Sequence, residues 1–149
     1  MSDDRRQFST LQLRPAGWED YVEIWVDGER LIDRLIEAQQ RANAHFILKD
    51  PGLGWSYVEG DTETAFDTSL RESSDSRDRL LTVCEGCNEF GCGDTFVKVA
   101  VEGTIVEFHN FSTQFLWLDL PAIRFEASQF FGEVDRLHDW YVAQFRPTP

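Results

Sequence analysis

The chain has 149 residues, enough for one domain that buries roughly two-thirds of its unfolded surface and needs no covalent staple to fold. It carries 27 acidic against 14 basic side chains, a formal net charge of −13, which repels phosphate backbones and anionic lipid and excludes direct nucleic-acid or membrane-surface binding as the expected role. No apolar run approaches the roughly 20 residues of a membrane span, no basic start leads into an apolar stretch, and three cysteines is an odd number, so the expected setting is the reducing cytoplasm.

Residues 1–7 are polar and are expected to be disordered, with a single domain over 8–146. Leu11 and Leu13 alternate with Gln12 and Arg14, and Val22, Ile24 and Val26 alternate with Tyr21, Glu23 and Trp25. The period of two predicts two strands. Asp27-Gly28 closes the second strand, and Leu31, Ile32, Leu35, Ile36, Ala38 and Ala42 recur at helical spacing, predicting a helix over about 30–43. Pro51, Gly52, Gly54 and Gly60 suit a loop or a short strand over 47–60. The stretch 59–78 holds seven acids among serines, which predicts an exposed, mobile acidic insertion.

Leu80 to Val83 reads as a strand. Phe96–Val101 and Thr104–Phe108 read as a hairpin around Glu102-Gly103. In that register Val99 faces Val106, Val97 faces Phe108, and Lys98 meets Glu107 on the opposite face. Short strands follow at 116–120 and 123–125. Ser128 is placed to cap a last helix over 129–145, in which Phe130, Val134, Leu137 and Tyr141 step by four, three and four. The sum is an α+β domain: an antiparallel sheet of about five to seven strands with two main helices.

The densest chemistry is Cys84-Glu85-Gly86-Cys87 followed by Cys92, which are all the cysteines of the chain. Three thiols on a glycine-rich turn can hold a soft metal, cycle between dithiol and disulfide, or pack as small apolar groups. Structural zinc takes four ligands, and only three are evident here. His109 falls opposite Phe96 in the expected register, about 13 Å along the strand from Cys92 at 3.3 Å per residue. Glu85 and Glu89 beside the motif raise thiol pKa values, which disfavours a redox dithiol. His45, His109 and His138 are scattered, and no phosphate-cradling glycine loop is present.

The residues from Leu81 to Phe111, a buried strand, then CxxCxxxGC, then a β-hairpin carrying Val106, together with Arg124-Phe125-Glu126 before an aromatic-rich helix, resemble a group of small bacterial proteins of unassigned function. The resemblance covers about the last 65 residues and implies a cytoplasmic bacterial α+β protein; it carries no catalytic residue. Members of the group often space the first two cysteines more tightly and carry tryptophan where this chain has Phe108.

Two functions stand as expectations. The first is a non-enzymatic protein whose acidic surface, Asp20, Glu23, Asp27, Glu29, Asp33 and Glu37 with Trp25 as an aromatic anchor, docks a basic protein. Bacterial immunity proteins that neutralise nuclease toxins follow the same physics. The second is a metal- or thiol-dependent protein with one zinc or a redox site at Cys84, Cys87 and Cys92.

Overall fold

The two strands marked by alternation pair with each other, but residues 8–15 hold two strands that belong to different sheets. The computed structural model describes residues 8–15, 21–42, 53–54, 64–72, 75–82, 95–113 and 117–145. Strand β1 (Phe8–Ser9) pairs in parallel with β9 (Ile123–Glu126), Phe8 opposite Arg124. One residue later, β2 (Leu11–Pro15) pairs antiparallel with β3 (Tyr21–Val26), Leu11 opposite Val26. Strand β4 (Glu29–Arg30) and the two-residue β5 (Leu53–Gly54) also pair with β3. The larger sheet has the order β1-β9-β8-β7-β6, with β6 at Asp78–Thr82, β7 at Thr95–Glu102 and β8 at Ile105–Thr113. With α1 (Leu31–Ala42) and α2 (Ala127–Phe145) this makes a single α+β domain. Its strands divide between two sheets, and its β1–β9 pairing is parallel. No helix among the described residues is long and apolar enough to cross a membrane.

Strands β2, β3 and β7 and the first half of β8 bury the face their alternation marks, whereas β6 and the end of β8 are buried on both faces. Leu11, Leu13, Val22 and Val26 are fully buried, as are Val97, Val106 and Phe108. Helix α1 buries Leu31, Ile32, Leu35 and Ala38, and α2 buries Phe130, Val134 and Leu137. Phe130 is central: its ring stacks on Phe66 at 5.9 Å and meets Phe108 and Phe125 at 5.6 and 5.4 Å. Such aromatic pairs add about 0.5–1.5 kcal/mol each beyond the area they bury.

The hairpin turns one residue later than Glu102-Gly103. Gly103, φ +61°, and Thr104 form the turn, and Glu102 faces Ile105. Val99 therefore faces Phe108 and Lys98 faces His109. The pairing has moved by two positions, so every side chain keeps its expected face. Lys98 bonds to Asp78 of β6 at 3.2 Å, and Glu107 takes Arg124 of β9 at 3.2 Å. A bulge follows at Asn110, φ +55°, where three residues of β7 face four of β8. It turns Phe111 into the core.

The acid-rich stretch departs from expectation where it is described. Thr64 to Asp67 and Leu70 are buried rather than exposed. Phe66 fills the core, a 3-10 turn runs over Thr68–Arg71, and Asp67 binds the buried Arg79 at 3.3 Å. Arg79 also reaches Asp75 at 3.0 Å. An ion pair this deep is destabilising unless both ends are satisfied, and Arg79 further donates to the Thr64 carbonyl. The last helix begins at Ala127, so Ser128 lies inside it and does not cap it. The Ala127 amide instead donates to the Thr104 carbonyl at 2.7 Å.

Side chains of α2 also close the free edge of β2. Gln129 accepts from the Leu11 amide and donates to the Leu11 carbonyl, at 2.9 and 2.7 Å, as a neighbouring peptide would. Two residues along β2, the Leu13 amide donates to Glu133 at 2.8 Å and the Leu13 carbonyl accepts from Arg136 at 3.0 Å. The edge is paired without a strand.

Candidate partner-binding surface

Cys84, Cys87 and Cys92 lie outside the described residues, as does Asp20. The flanks of the cysteine segment are described. Thr82, at the end of β6, faces Thr95, at the start of β7, and their buried hydroxyls are 2.5 Å apart. The chain that carries all three thiols leaves and returns to this one cross-strand pair. His109 faces Lys98 instead of Phe96, two residues farther along β7 from that end. Among the described residues no group of three or more His, Cys, Asp or Glu side chains is arranged to hold a metal.

The other acids chosen from sequence fall on β3, the β3–β4 turn, β4 and α1, where arginines stand among them. Arg30 joins Glu23 at 3.4 Å and Asp33 at 3.1 Å, Arg34 joins Glu29 at 3.1 Å, and Arg41 joins Glu37 at 3.5 Å. The hydrogen bonds that Arg30 donates to Asp33 raise its pKa above the ordinary value against a smaller opposing effect of burial, with Glu23 adding to the rise. Asp27 accepts the Thr10 amide at 2.9 Å. Trp25 is half-buried, donates its indole N–H to Glu23 at 3.0 Å, and lies under the Arg14 guanidinium at 3.9 Å. This group is therefore a lattice of internal pairs with little uncompensated charge.

Trp117 differs. It is 68% exposed, alone in this among the large hydrophobic residues whose side chains are described. An isolated bridge pairs it with Ser112, and Ser112 in turn faces Phe96. Phe96 alternates with the buried Thr95 and Val97, so this row projects from the other face of the sheet, where Phe96 still packs against the core and Leu80 and Ser112 are buried. Beyond it the chain loops out through Pro121, with the Asp119 carbonyl held by Arg41 at 2.8 Å. The sequence hides this residue: Phe115-Leu116-Trp117-Leu118 is apolar throughout and has no alternation to mark an outward position.

The same face carries Asp78, Lys98 and His109 in one row, Ala100, Glu107 and Arg124 in the next, and Glu102, Ile105 and Glu126 at the hairpin end. A depression of about 220 Å³ opens between Ala100, Ile105 and Arg124. A second cleft, about 450 Å³, lies between the hairpin tip and the start of α2. Its cation, Arg71, is already joined to Asp135 at 2.5 Å.

Every described lysine or arginine except Arg14 is ion-paired with a described acid. Glu72, Glu102, Asp119, Glu126 and Asp139 are exposed and form no ion pair with a described residue. No family model matches this chain, and neither a curated protein nor a solved structure is found to be similar to it.

Proposed function

We propose that this is a non-enzymatic binding protein whose acidic surface docks a basic protein, with Trp117 as the aromatic anchor. The observation that carries the reading is a tryptophan left 68% exposed on a chain of net charge −13. Exposed tryptophan is the residue type most often found at the energetic centre of an interface, and its ring face attracts lysine and arginine. All described cations but Arg14 are paired internally, so the charge offered outward is negative and favours encounter with a positive partner.

Affinity capture from cells at about 50 mM salt, with release at about 0.5 M, tests the proposal. Trp117→Ala is expected to weaken the captured complex by roughly thirtyfold, the loss typical of an interface hot spot, while Cys84→Ser leaves it intact. Equal retention by wild type and Trp117→Ala, insensitive to salt, would overturn the reading.

A second reading rests on the closure at Thr82 and Thr95, which ties the segment bearing Cys84, Cys87 and Cys92 to one end of the sheet. On this reading the three thiols hold one zinc or form a redox site. Zinc and iron stoichiometry, measured with a free-thiol count on protein purified under reducing conditions without a metal-affinity tag, decides it. One metal per chain with masked thiols supports a metal site, and three reactive thiols without metal remove it.

A further inference from the structure

We infer that Trp117 and Asp119 form one receptor for an arginine side chain of a basic partner, with the guanidinium over the indole ring and beside the carboxylate. The inference rests on the basic-partner reading above and names the side chain that the aromatic anchor takes.

The molecule holds the same arrangement once already, filled from within. On β3, Glu23 and Trp25 are two residues apart. The Arg14 guanidinium lies 3.9 Å from the Trp25 ring, and Glu23 accepts from the Trp25 indole at 3.0 Å and from Arg30 at 3.4 Å. Trp117 and Asp119 repeat that spacing with the carboxylate on the C-terminal side. Both are exposed and Leu118 between them is buried, so the two project to the same side, their Cα atoms no more than about 7 Å apart. No described residue supplies a cation to this second pair. The Trp117 side chain makes no hydrogen bond, ring contact or cation–π contact with a described residue, and the Asp119 carboxylate makes no ion pair with one.

The backbone beneath the pair is held at three points. The Leu118 amide donates to the Phe111 carbonyl at 2.9 Å, the Leu120 amide to the Leu118 carbonyl at 3.0 Å, and Arg41 of α1 to the Asp119 carbonyl at 2.8 Å. Arg41 takes this carbonyl and, at 3.5 Å, the Glu37 carboxylate, but not the carboxylate of Asp119. A receptor fixed before its partner arrives loses little further freedom on binding. Arginine suits it better than lysine, because a planar guanidinium stacks on an aromatic face while its remaining N–H groups reach a carboxylate at the edge. An apolar partner residue would desolvate Asp119 with no compensation.

The test is an NMR titration of the full chain with pentaarginine at about 50 mM salt, following the Trp117 indole N–H, which is identified by its loss in Trp117→Phe. Saturable shifts are expected to be largest there and at the amides of Leu118, Asp119 and Leu120. Asp119→Asn is expected to bind about three- to fivefold more weakly, the value of one well-placed exposed ion pair. Trp117→Ala is expected to lose about as much, through the ring. Glu102→Gln makes the same change in net charge opposite Ile105, about 23 Å along β8 from Ser112 at 3.3 Å per residue, and is expected to lose less than about twofold. Thermal midpoints close to that of wild type show that the variants are folded. Shifts centred away from Trp117, or wild-type affinity in Asp119→Asn, overturn the receptor. If Trp117→Ala then still loses the partner captured from cells, the basic-partner reading stands; if it retains that partner at low and high salt, both fall.

Discussion

Asp27 is an acid by composition and a bend by structure. Its φ of +54° and the +83° of Gly28 are the two left-handed positions of a tight turn joining β3 to β4. Aspartate and asparagine tolerate that region better than other non-glycine residues. The side chain adds a bond from the Thr10 amide, and the Asp27 amide donates to the Thr10 carbonyl at 3.0 Å. Asp27→Ala is therefore expected to cost about 1–2 kcal/mol, from backbone strain together with the lost bond. Asp27→Asn should keep most of it. Denaturant unfolding measures both, and an alanine variant as stable as wild type would refute the assignment. The Asp-Gly pair made this turn legible in sequence. The left-handed Asn110 was not, because a bulge depends on what the partner strands demand, and nothing beside His109-Asn110 marks the break in alternation.

Among the elements, the clamp of α2 on β2 carries the clearest pH dependence. Burial alone would push the Glu133 carboxyl up, but bonds from Arg136 and from the Leu13 amide outweigh it and leave the pKa below the ordinary glutamate value. A carboxyl with a lowered folded pKa adds stability that is present above its unfolded pKa and is lost as pH falls through the folded one. The clamp is thus complete at neutral pH and weakens below about pH 4.5, where the unfolded chain takes up its proton first. Glu133→Gln is expected to cost about 1.5–3 kcal/mol at pH 7, the value of a bond to a charged group. It should also flatten the decline of stability as pH falls through the lowered folded pKa. Stability against pH for both chains checks this, and parallel curves would refute it. Helix periodicity located α2, yet Gln129, Glu133 and Arg136 read in sequence only as its polar arc. Their role becomes visible once the edge of β2 is seen beside them. The hairpin register shows the same limit: Lys98 and Glu107 looked complementary, but each found its partner on the strand flanking the hairpin, β6 or β9.

For the whole molecule, period and class were readable because one buried face leaves a regular trace in sequence. The division into two sheets was not, since Thr10, where the chain passes from one to the other, carries no glycine, proline or change of period. Composition misjudged the stretch around Phe66, where many acids outweighed three residues that fill the core. The candidate site was legible only in outline. Net charge pointed to a positive partner, but which acids remain uncompensated depends on where the arginines fold, and Trp117 is recognised as outward only from its exposure in the folded chain.

The passage of residues 8–15 between sheets also bears on synthesis by the ribosome. Strands β2, β3 and β4 and helix α1 are neighbours in sequence and can assemble as the chain emerges. Phe8, however, must wait for Arg124, and Leu11 for Gln129, which lies 118 residues away. Residues 8–15 thus leave the exit tunnel long before the partners that secure them. Contacts this distant slow folding and leave an unpaired edge exposed in the meantime.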